Sequence, residues 1–348
     1  MDELTLGIIG GGQLGSMLAS AAKKINIKTV VFSDDQDAPA QNFSNDFVCG
    51  KYYDKNKIKE FIEKVDIITF EFENIPFETL NNINKEKKVL PKPNINKIVQ
   101  HRLYEKDFIN KCNARTTLYE SIKNEKDLKS KINFIPGIIK SCTLGYDGKG
   151  QYKVSSLSEL NKINLDYSKE YIIEKFINLK KEISIILTRF GAQKYEIYEP
   201  IENFHEDQIL RNSQIPAKIS KEILNQSKNW AILISEKLEY IGTLCVEFFI
   251  DENDNLYVNE IAPRVHNSGH LTINSYNISQ FENHIRAVCA LEKKEIKKLH
   301  NAKMVNLIGD DILLYRNKKF SENEFFFDYQ KKEIKPKRKM GHLTIIEK

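Results

Sequence analysis

The 348-residue chain has no apolar run near the ~20 residues that a membrane-spanning helix needs. Cysteine is scarce: Cys49, Cys112, Cys142, Cys245 and Cys289 are widely spaced, odd in number and never paired as CxxC. That pattern argues against a disulfide framework or a contiguous zinc motif, and the five read as reduced thiols. Charge of one sign is also lacking, since 53 basic and 48 acidic residues leave a net charge of only +5. The one dense basic stretch is Lys335-Pro336-Lys337-Arg338-Lys339. Basic clusters interleaved with aromatics, the mark of a nucleic-acid surface, are missing. A local anionic ligand such as a phosphate fits this distribution better. No internal repeat, low-complexity tract, GxxxxGK[ST] loop, or Ser-His-Asp or Cys-His arrangement is present. The start, Met1-Asp2-Glu3, is acidic, and the apolar stretch after it breaks at Gly10-Gly11-Gly12. The expectation is a cytoplasmic protein without a signal peptide.

What is present is a globular balance, 41% hydrophobic and 29% charged residues, with a length suited to two or three domains. Short apolar runs at 4–9, 29–32 and 65–70 alternate with helical patterns at 13–24 and 58–64, which predicts a parallel α/β sheet. Pro91-Lys92-Pro93 punctuates the chain and closes this first unit. A charged helix is expected over 96–111. Strands are expected over 134–140, 151–154, 171–176, 182–188 and 194–200. An amphipathic helix follows at 220–238, with Ile223, Trp230, Leu233 and Ile234 as its buried positions. Residues 242–251 and 255–262 read as a hairpin, 279–291 as a helix, and the tail after Lys303 as short strands.

Five motifs carry candidate chemistry. Gly10-Gly11-Gly12-Gln13-Leu14-Gly15 lies between a strand and a helix, with Asp34 and Asp35 further on. It meets the dinucleotide fingerprint, and alone it leaves open a nicotinamide site, another anion site or a structural turn. The second motif is a glycine loop bracketed by lysines, Lys140 to Gln151, with Gly145, Gly148, Lys149 and Gly150 inside it. Such a loop can fold over a triphosphate, and the plain alternative is an exposed hairpin turn. Third, Glu247 and Asn259-Glu260 sit on the two strands of the expected hairpin. An acid inside an apolar strand is costly unless paired or bound to metal, and two facing acids suit Mg²⁺. The plain alternative is acids turned to solvent. Fourth, Ala262-Pro263-Arg264-Val265-His266-Asn267-Ser268-Gly269-His270 is dense in groups that bind anions or polar rings. Pro263 and Gly269 favour a binding loop there over a metal-binding helix. Fifth, Glu71-Phe72-Glu73-Asn74 ends a parallel strand, the edge at which open α/β sheets bind ligands.

Together these residues resemble the ATP-grasp superfamily and, within it, the N5-carboxyaminoimidazole ribonucleotide synthetases. Gly11–Gly15, Phe70–Asn74, Gly145–Gln151, the segment Asn259–His270 and Gly341-His342-Leu343 carry the resemblance in the family's order. It implies a Rossmann-like N-terminal (pre-ATP-grasp) domain over 1–95. An ATP-grasp small subdomain with the phosphate loop would span 96–178, and the main ATP-grasp domain with the metal site 179–300. A short C-terminal β-rich piece would occupy 301–348. The overall class would be α/β.

By the same resemblance, ATP would be contacted by Arg102, Lys140, Gly145, Tyr146, Asp147, Gly148, Lys149, Gly150 and Gln151. Glu174, Lys175, Phe176 and Ile177 would hold adenine by backbone bonds. Glu182 would bind ribose, and His205, Asn259 and Glu260 would complete the nucleotide site. Glu247 and Glu260 would be ligands for Mg²⁺ or Mn²⁺. The second substrate, aminoimidazole ribonucleotide (AIR), would place its phosphate near Gln13, Leu14, Lys335 and Arg338. Glu73, Tyr146, Asp147, Arg264, His266, Asn267 and Ser268 would receive bicarbonate and the imidazole. Lys149, Arg264, His266 and Asn267 would be catalytic. The implied activity carboxylates AIR with bicarbonate at the expense of ATP, through carboxyphosphate, in purine biosynthesis. A homodimer is the family's expectation, with no nucleic-acid or membrane partner. The alternatives are another ATP-grasp ligase, a nicotinamide oxidoreductase built on Gly10–Gly15, or a nonenzymatic nucleotide sensor.

Overall fold

The computed structural model describes residues 4–143 and 150–347. Among the described residues the strands form three sheets. The first is parallel and holds β1 (Thr5–Ile9), β2 (Lys28–Ser33), β3 (Asp46–Cys49) and β4 (Ile67–Phe70) in the order β3-β2-β1-β4. β1 and β4 are uncharged apolar runs because apolar clusters cover both faces of the sheet. The expected strand at 65–70 starts later, at Ile67, and β3 went unforeseen because Asp46-Phe47-Val48-Cys49 is short and half-exposed.

The charged stretch expected as one helix is two, Asn94–Val99 and Arg102–Lys111, broken at Gln100 and His101. The second sheet is antiparallel, with β5 (Tyr119–Ile122), β6 (Gly137–Ser141), β7 (Gln151–Val154) and β8 (Tyr171–Lys175) in the order β5-β8-β6-β7. It has its own core around Leu128, Ile139, Leu160 and Ile173.

The third sheet is the largest. It contains β9 (Leu179–Gly191), β10 (Lys194–Ile197), β11 (Ile201–Glu206), β12 (Ile209–Ile215), β13 (Gly242–Asp251), β14 (Leu256–Ala262), β15 (Asn301–Ile308), β16 (Glu324–Asp328) and β17 (Lys339–Glu347). The order is β14-β13-β9-β11-β12-β15-β17-β16, with β10 on β9. The C-terminal strands therefore complete the main sheet through the β12–β15 ladder. The Lys221–Lys237 helix is capped by Ser220, whose hydroxyl accepts from the Ile223 amide. Its buried face is Ile223, Ser227, Ala231, Ile234 and Ser235, so Trp230 is only partly buried and Leu233 is exposed, contrary to expectation. Small residues on that face let the helix lie close to the sheet.

One apolar cluster fuses the first sheet to the rest. Leu6, Ile8, Met17 and Leu18 pack with Phe281, Ile285 and Val288 of the Gln280–Val288 helix and with Tyr329 of the C-terminal segment. This shared core holds the glycine turn, the hairpin and the basic tail around one cleft.

Candidate active site

A cleft of about 950 Å³ opens where the three sheets meet. Of the residues expected at the site, Gln13, Leu14, Glu73, Arg102, Lys140, Gln151, Glu174, Lys175, Phe176, Ile177, Glu182, His205, Glu247, Asn259, Glu260, Arg264, His266, Asn267 and Arg338 line it. Gly145, Tyr146, Asp147, Gly148 and Lys149 lie outside the described residues. Three expected residues do not line the cleft: Gly150, Ser268 and Lys335. Gly150 has φ +72° and an added Cβ would meet Ser141 Oγ at 2.6 Å, so its role is conformational. Ser268 is buried beneath His266. Lys335 is exposed and pairs with Glu333, while Lys331, Lys337 and Lys339 reach the cleft instead.

One wall is built by the small antiparallel sheet and the Arg102–Lys111 helix. Glu174, buried on β8, has Lys140 Nζ at 3.0 Å and Lys106 Nζ at 3.4 Å. Burial would raise its carboxyl, but the two ammonium groups hold it down at about 2. The Thr117 hydroxyl also donates to it, at 3.3 Å. The amides of Lys175 and Phe176 are spent on the carbonyls of Leu118 and Pro136. Sequence reasoning missed Lys106 and Glu105, although Arg102, Glu105, Lys106 and Ile109 recur at helical spacing on one face.

The floor is the hairpin. Glu247 of β13 stands directly opposite Glu260 of β14 in the ladder. The two carboxyls differ. Glu247 Oε1 accepts from His266 Nε2 at 2.8 Å, and although burial pushes it up, His266, His205 and Arg264 hold it at about 2. Glu260 opens onto the cleft, and burial and the Glu247 charge raise it, with Arg102 Nη1 at 3.9 Å. Glu105 supports this strand from behind, its carboxylate accepting the Ile261 amide at 2.6 Å. His205 lies 2.9 Å from Glu182 Oε2, an ion-pair distance without hydrogen-bond alignment.

The other wall comes from the first sheet. Glu73 takes the Arg264 guanidinium bidentately, through Nε and through Nη2 at 2.7 Å. Burial would raise Glu73, but Arg264 keeps it below the usual carboxylate range. His266 is fixed on three sides. Gln280 accepts its amide at 2.9 Å and donates to its carbonyl at 2.6 Å, while Ser268 Oγ meets Nδ1 at 2.9 Å. Asn267 exchanges amide hydrogen bonds with Asn306 of β15. An added Cβ at Gly269 would lie 2.7 Å from the Gln280 amide, so only glycine leaves that clamp room. His270 is fully buried among Phe281, Tyr329 and His342, away from the cleft.

The glycine turn is already filled. Gly12 N donates to Glu71 Oε1 at 2.8 Å, and an added Cβ at Gly10, where φ is +106°, would lie 2.7 Å from Glu71 Cγ. A carboxylate thus sits on the helix N-terminus where a dinucleotide would place its pyrophosphate. Gln13 Oε1 receives Lys331 Nζ at 2.8 Å, which ties the turn to the basic tail.

Three family models match in series: a ribonucleotide synthetase preATP-grasp domain over residues 3–100, an ATP-grasp domain over 107–281, and a phosphoribosylaminoimidazole carboxylase C-terminal domain over 302–348. An N5-carboxyaminoimidazole ribonucleotide synthase from Staphylococcus haemolyticus is 39% identical over 98% of this chain and 92% of its own length. The chain belongs to the N5-carboxyaminoimidazole ribonucleotide synthase family. It shares the fold of the N5-carboxyaminoimidazole synthetase from Staphylococcus aureus complexed with ADP, with TM-score 0.90 and 36% identity over 99% of this chain and 93% of that one. It also resembles the Aspergillus clavatus synthase in complex with ADP and 5-aminoimidazole ribonucleotide, with TM-score 0.88 and 26% identity over 99% and 94%. As a member of this synthase family the chain is an ATP-grasp ligase, and the oxidoreductase reading of its glycine turn falls away. No described helix is long and apolar enough to cross a membrane.

Proposed function

We propose that this ligase carboxylates the exocyclic amine of AIR, converting ATP and bicarbonate to ADP and phosphate and forming N5-carboxyaminoimidazole ribonucleotide in purine biosynthesis. The observation that carries the reading is one cleft with two chemically different walls. The Lys140–Glu174 pair and the Glu247/Glu260 register stand on the nucleotide side, and the Arg264–Glu73 clamp and basic tail stand opposite.

On the nucleotide side, Arg102 and Lys140 neutralise phosphate charge, with Gln151 on the same wall. Adenine lies against β8 and Ile177. The amides of Lys175 and Phe176 are engaged, so the strand's carbonyls and the Ile177 amide hold the ring. Glu182 takes the ribose, with His205 beside it. Glu247 and Glu260, with the Asn259 amide oxygen near, form a hard oxygen donor set that fits Mg²⁺ or Mn²⁺. When bound, that cation supplies charge neutralisation of the β- and γ-phosphates.

On the other side, Gln13, Leu14, Lys331 and Arg338 receive the AIR phosphate. Arg264, held rigid by Glu73, presents its guanidinium to bicarbonate, and His266 and Asn267 orient the carboxyl carbon toward the amine. A bicarbonate oxygen attacks the γ-phosphorus, the bond to the β-phosphate oxygen breaks and ADP leaves. The AIR amine then attacks the carboxyphosphate carbon, inorganic phosphate departs and the amine loses a proton. Carboxyphosphate hydrolyses readily, so the cleft must exclude water during transfer. Catalysis here is positioning and electrostatics. We assign residues 1–95, 96–178, 179–300 and 301–348 as the four working parts. The enzyme is read as a cytoplasmic homodimer.

The test is ADP release on adding bicarbonate, with and without AIR. AIR-stimulated release is the expected result. NADH oxidation, or ADP release indifferent to AIR, overturns the reading.

A further inference from the structure

Behind the proposed magnesium carboxylates lies a donor set of different character. Cys245 and Glu247 are two apart on β13 and so point to the same face of the strand. His266 enters from the loop after β14, its Nε2 at 2.8 Å from Glu247 Oε1. One donor atom each from Cys245, Glu247 and His266 all lie within 4.8 Å of one another. Zinc–ligand bonds of ~2.0–2.3 Å bring ligand atoms within about 4 Å of each other, so a small closing movement suffices. The sequence hides this set because the residues form no contiguous motif.

We propose that Cys245, Glu247 and His266 form a site for one thiophilic divalent cation, Zn²⁺, and that its occupancy inhibits the ligase by taking Glu247 from the magnesium. Mg²⁺ has no use for a thiolate, whereas a thiolate, an imidazole and one carboxylate oxygen suit Zn²⁺. The cation enters through the cleft, which Glu247 and His266 line, and water completes the fourth position. The proton balance is simple. Cys245 is fully buried beside the cleft, and the incoming cation displaces its thiol proton along the same path. On binding, the His266 ring hydrogen shifts from Nε2, where it meets Glu247, to Nδ1, which faces Ser268 Oγ at 2.9 Å and gives up the Ser268 amide that donates to it at 3.3 Å. Ser268 Oγ is itself held by Ser184 Oγ at 2.8 Å, and Ser184 by Asn203 Nδ2 at 3.0 Å. A metal-bound histidine needs this kind of partner on its other nitrogen.

The inhibitory half rests on reading Glu247 as a magnesium ligand, and the binding half does not. The metal-free full chain is therefore titrated with Co²⁺, without nucleotide or substrate. A near-ultraviolet thiolate-to-cobalt band that saturates at one ion per chain and vanishes in Cys245→Ser is the expected result. Absence of that band in the unaltered chain overturns the proposal, whatever becomes of the ligase reading. In turnover assays Zn²⁺ should inhibit and added Mg²⁺ should relieve it. Cys245→Ser should keep magnesium-dependent turnover and need about tenfold more Zn²⁺ for half inhibition. Equal zinc sensitivity in both proteins overturns the inhibitory role. If Cys245→Ser does not fold, Cys245→Ala supplies the same comparison.

Discussion

The glycine turn and the β13–β14 hairpin both carry an acid that meets a backbone or a neighbouring acid, yet they have opposite fates. At the turn, Glu71 from the adjoining strand occupies the Gly12 amide, so a motif that reads as an anion site is closed by the protein's own carboxylate. At the hairpin, Glu260 faces Glu247 across the ladder and opens onto the cleft, so a motif that reads as an acid pair stays available to a cation. A motif's meaning depends on whether the fold has already satisfied its donors and acceptors.

The strongest way to break the contrast is Glu260→Gln. It keeps the shape but removes the charge, and AIR-dependent ADP release should fall by roughly 10²–10³-fold with an unchanged fold by circular dichroism. Retained turnover would show that the carboxylate is no metal ligand. Next, Arg264→Ala leaves the half-buried Glu73 without its guanidinium partner. It should cost about 1–3 kcal/mol in denaturant unfolding besides the loss of turnover, because the cleft lets water reach the freed carboxylate. Wild-type stability would mean that Glu73 finds another partner.

At the turn, Glu71→Ala exposes the Gly12 amide. Thermal unfolding should show a loss of about 1–3 kcal/mol, while ADP affinity should stay within about twofold, since the turn binds no dinucleotide. A collapse of ADP affinity would join the two regions into one nucleotide site.

The smallest effect concerns pH. Burial lowers His284 and His342 from the ordinary 6.5 to about 3, so both are neutral in the fold and take up protons on unfolding at mildly acidic pH. Stability should therefore be fully present above about pH 6.5 and fall as pH drops from there toward 3. His284 bridges the Thr69 hydroxyl and the Thr243 amide, which fixes its ring hydrogen on Nε2. His284→Gln should flatten the pH dependence of the melting temperature between pH 7 and pH 5. An unchanged slope would place the titration elsewhere.

Much of this was legible in the residues. β7 falls where a strand beside the glycine-rich turn is expected, at 151–154, and the hairpin acids stand in the predicted opposition. The β11–β12 hairpin was not foreseen, because its polar residues, such as Asn203 and Ser213, bond to each other inside the fold and blur the apolar alternation. Lys106 and Glu105 were hidden for a similar reason. They look like an exposed charged helix face until Glu174 and the Ile261 amide supply partners for them.

By itself the sequence determined the parallel first sheet, the acid-bearing hairpin and the NEIAPRVHNSGH segment, because strand period, apolar runs and motif spacing are local properties. The tertiary structure alone decided that Lys331 and not Lys335 reaches the cleft. It also set Ser268 beneath His266 and filled the glycine turn with Glu71. Each of those outcomes depends on which distant group satisfies a buried donor or charge, and that is settled only when the chain closes on itself.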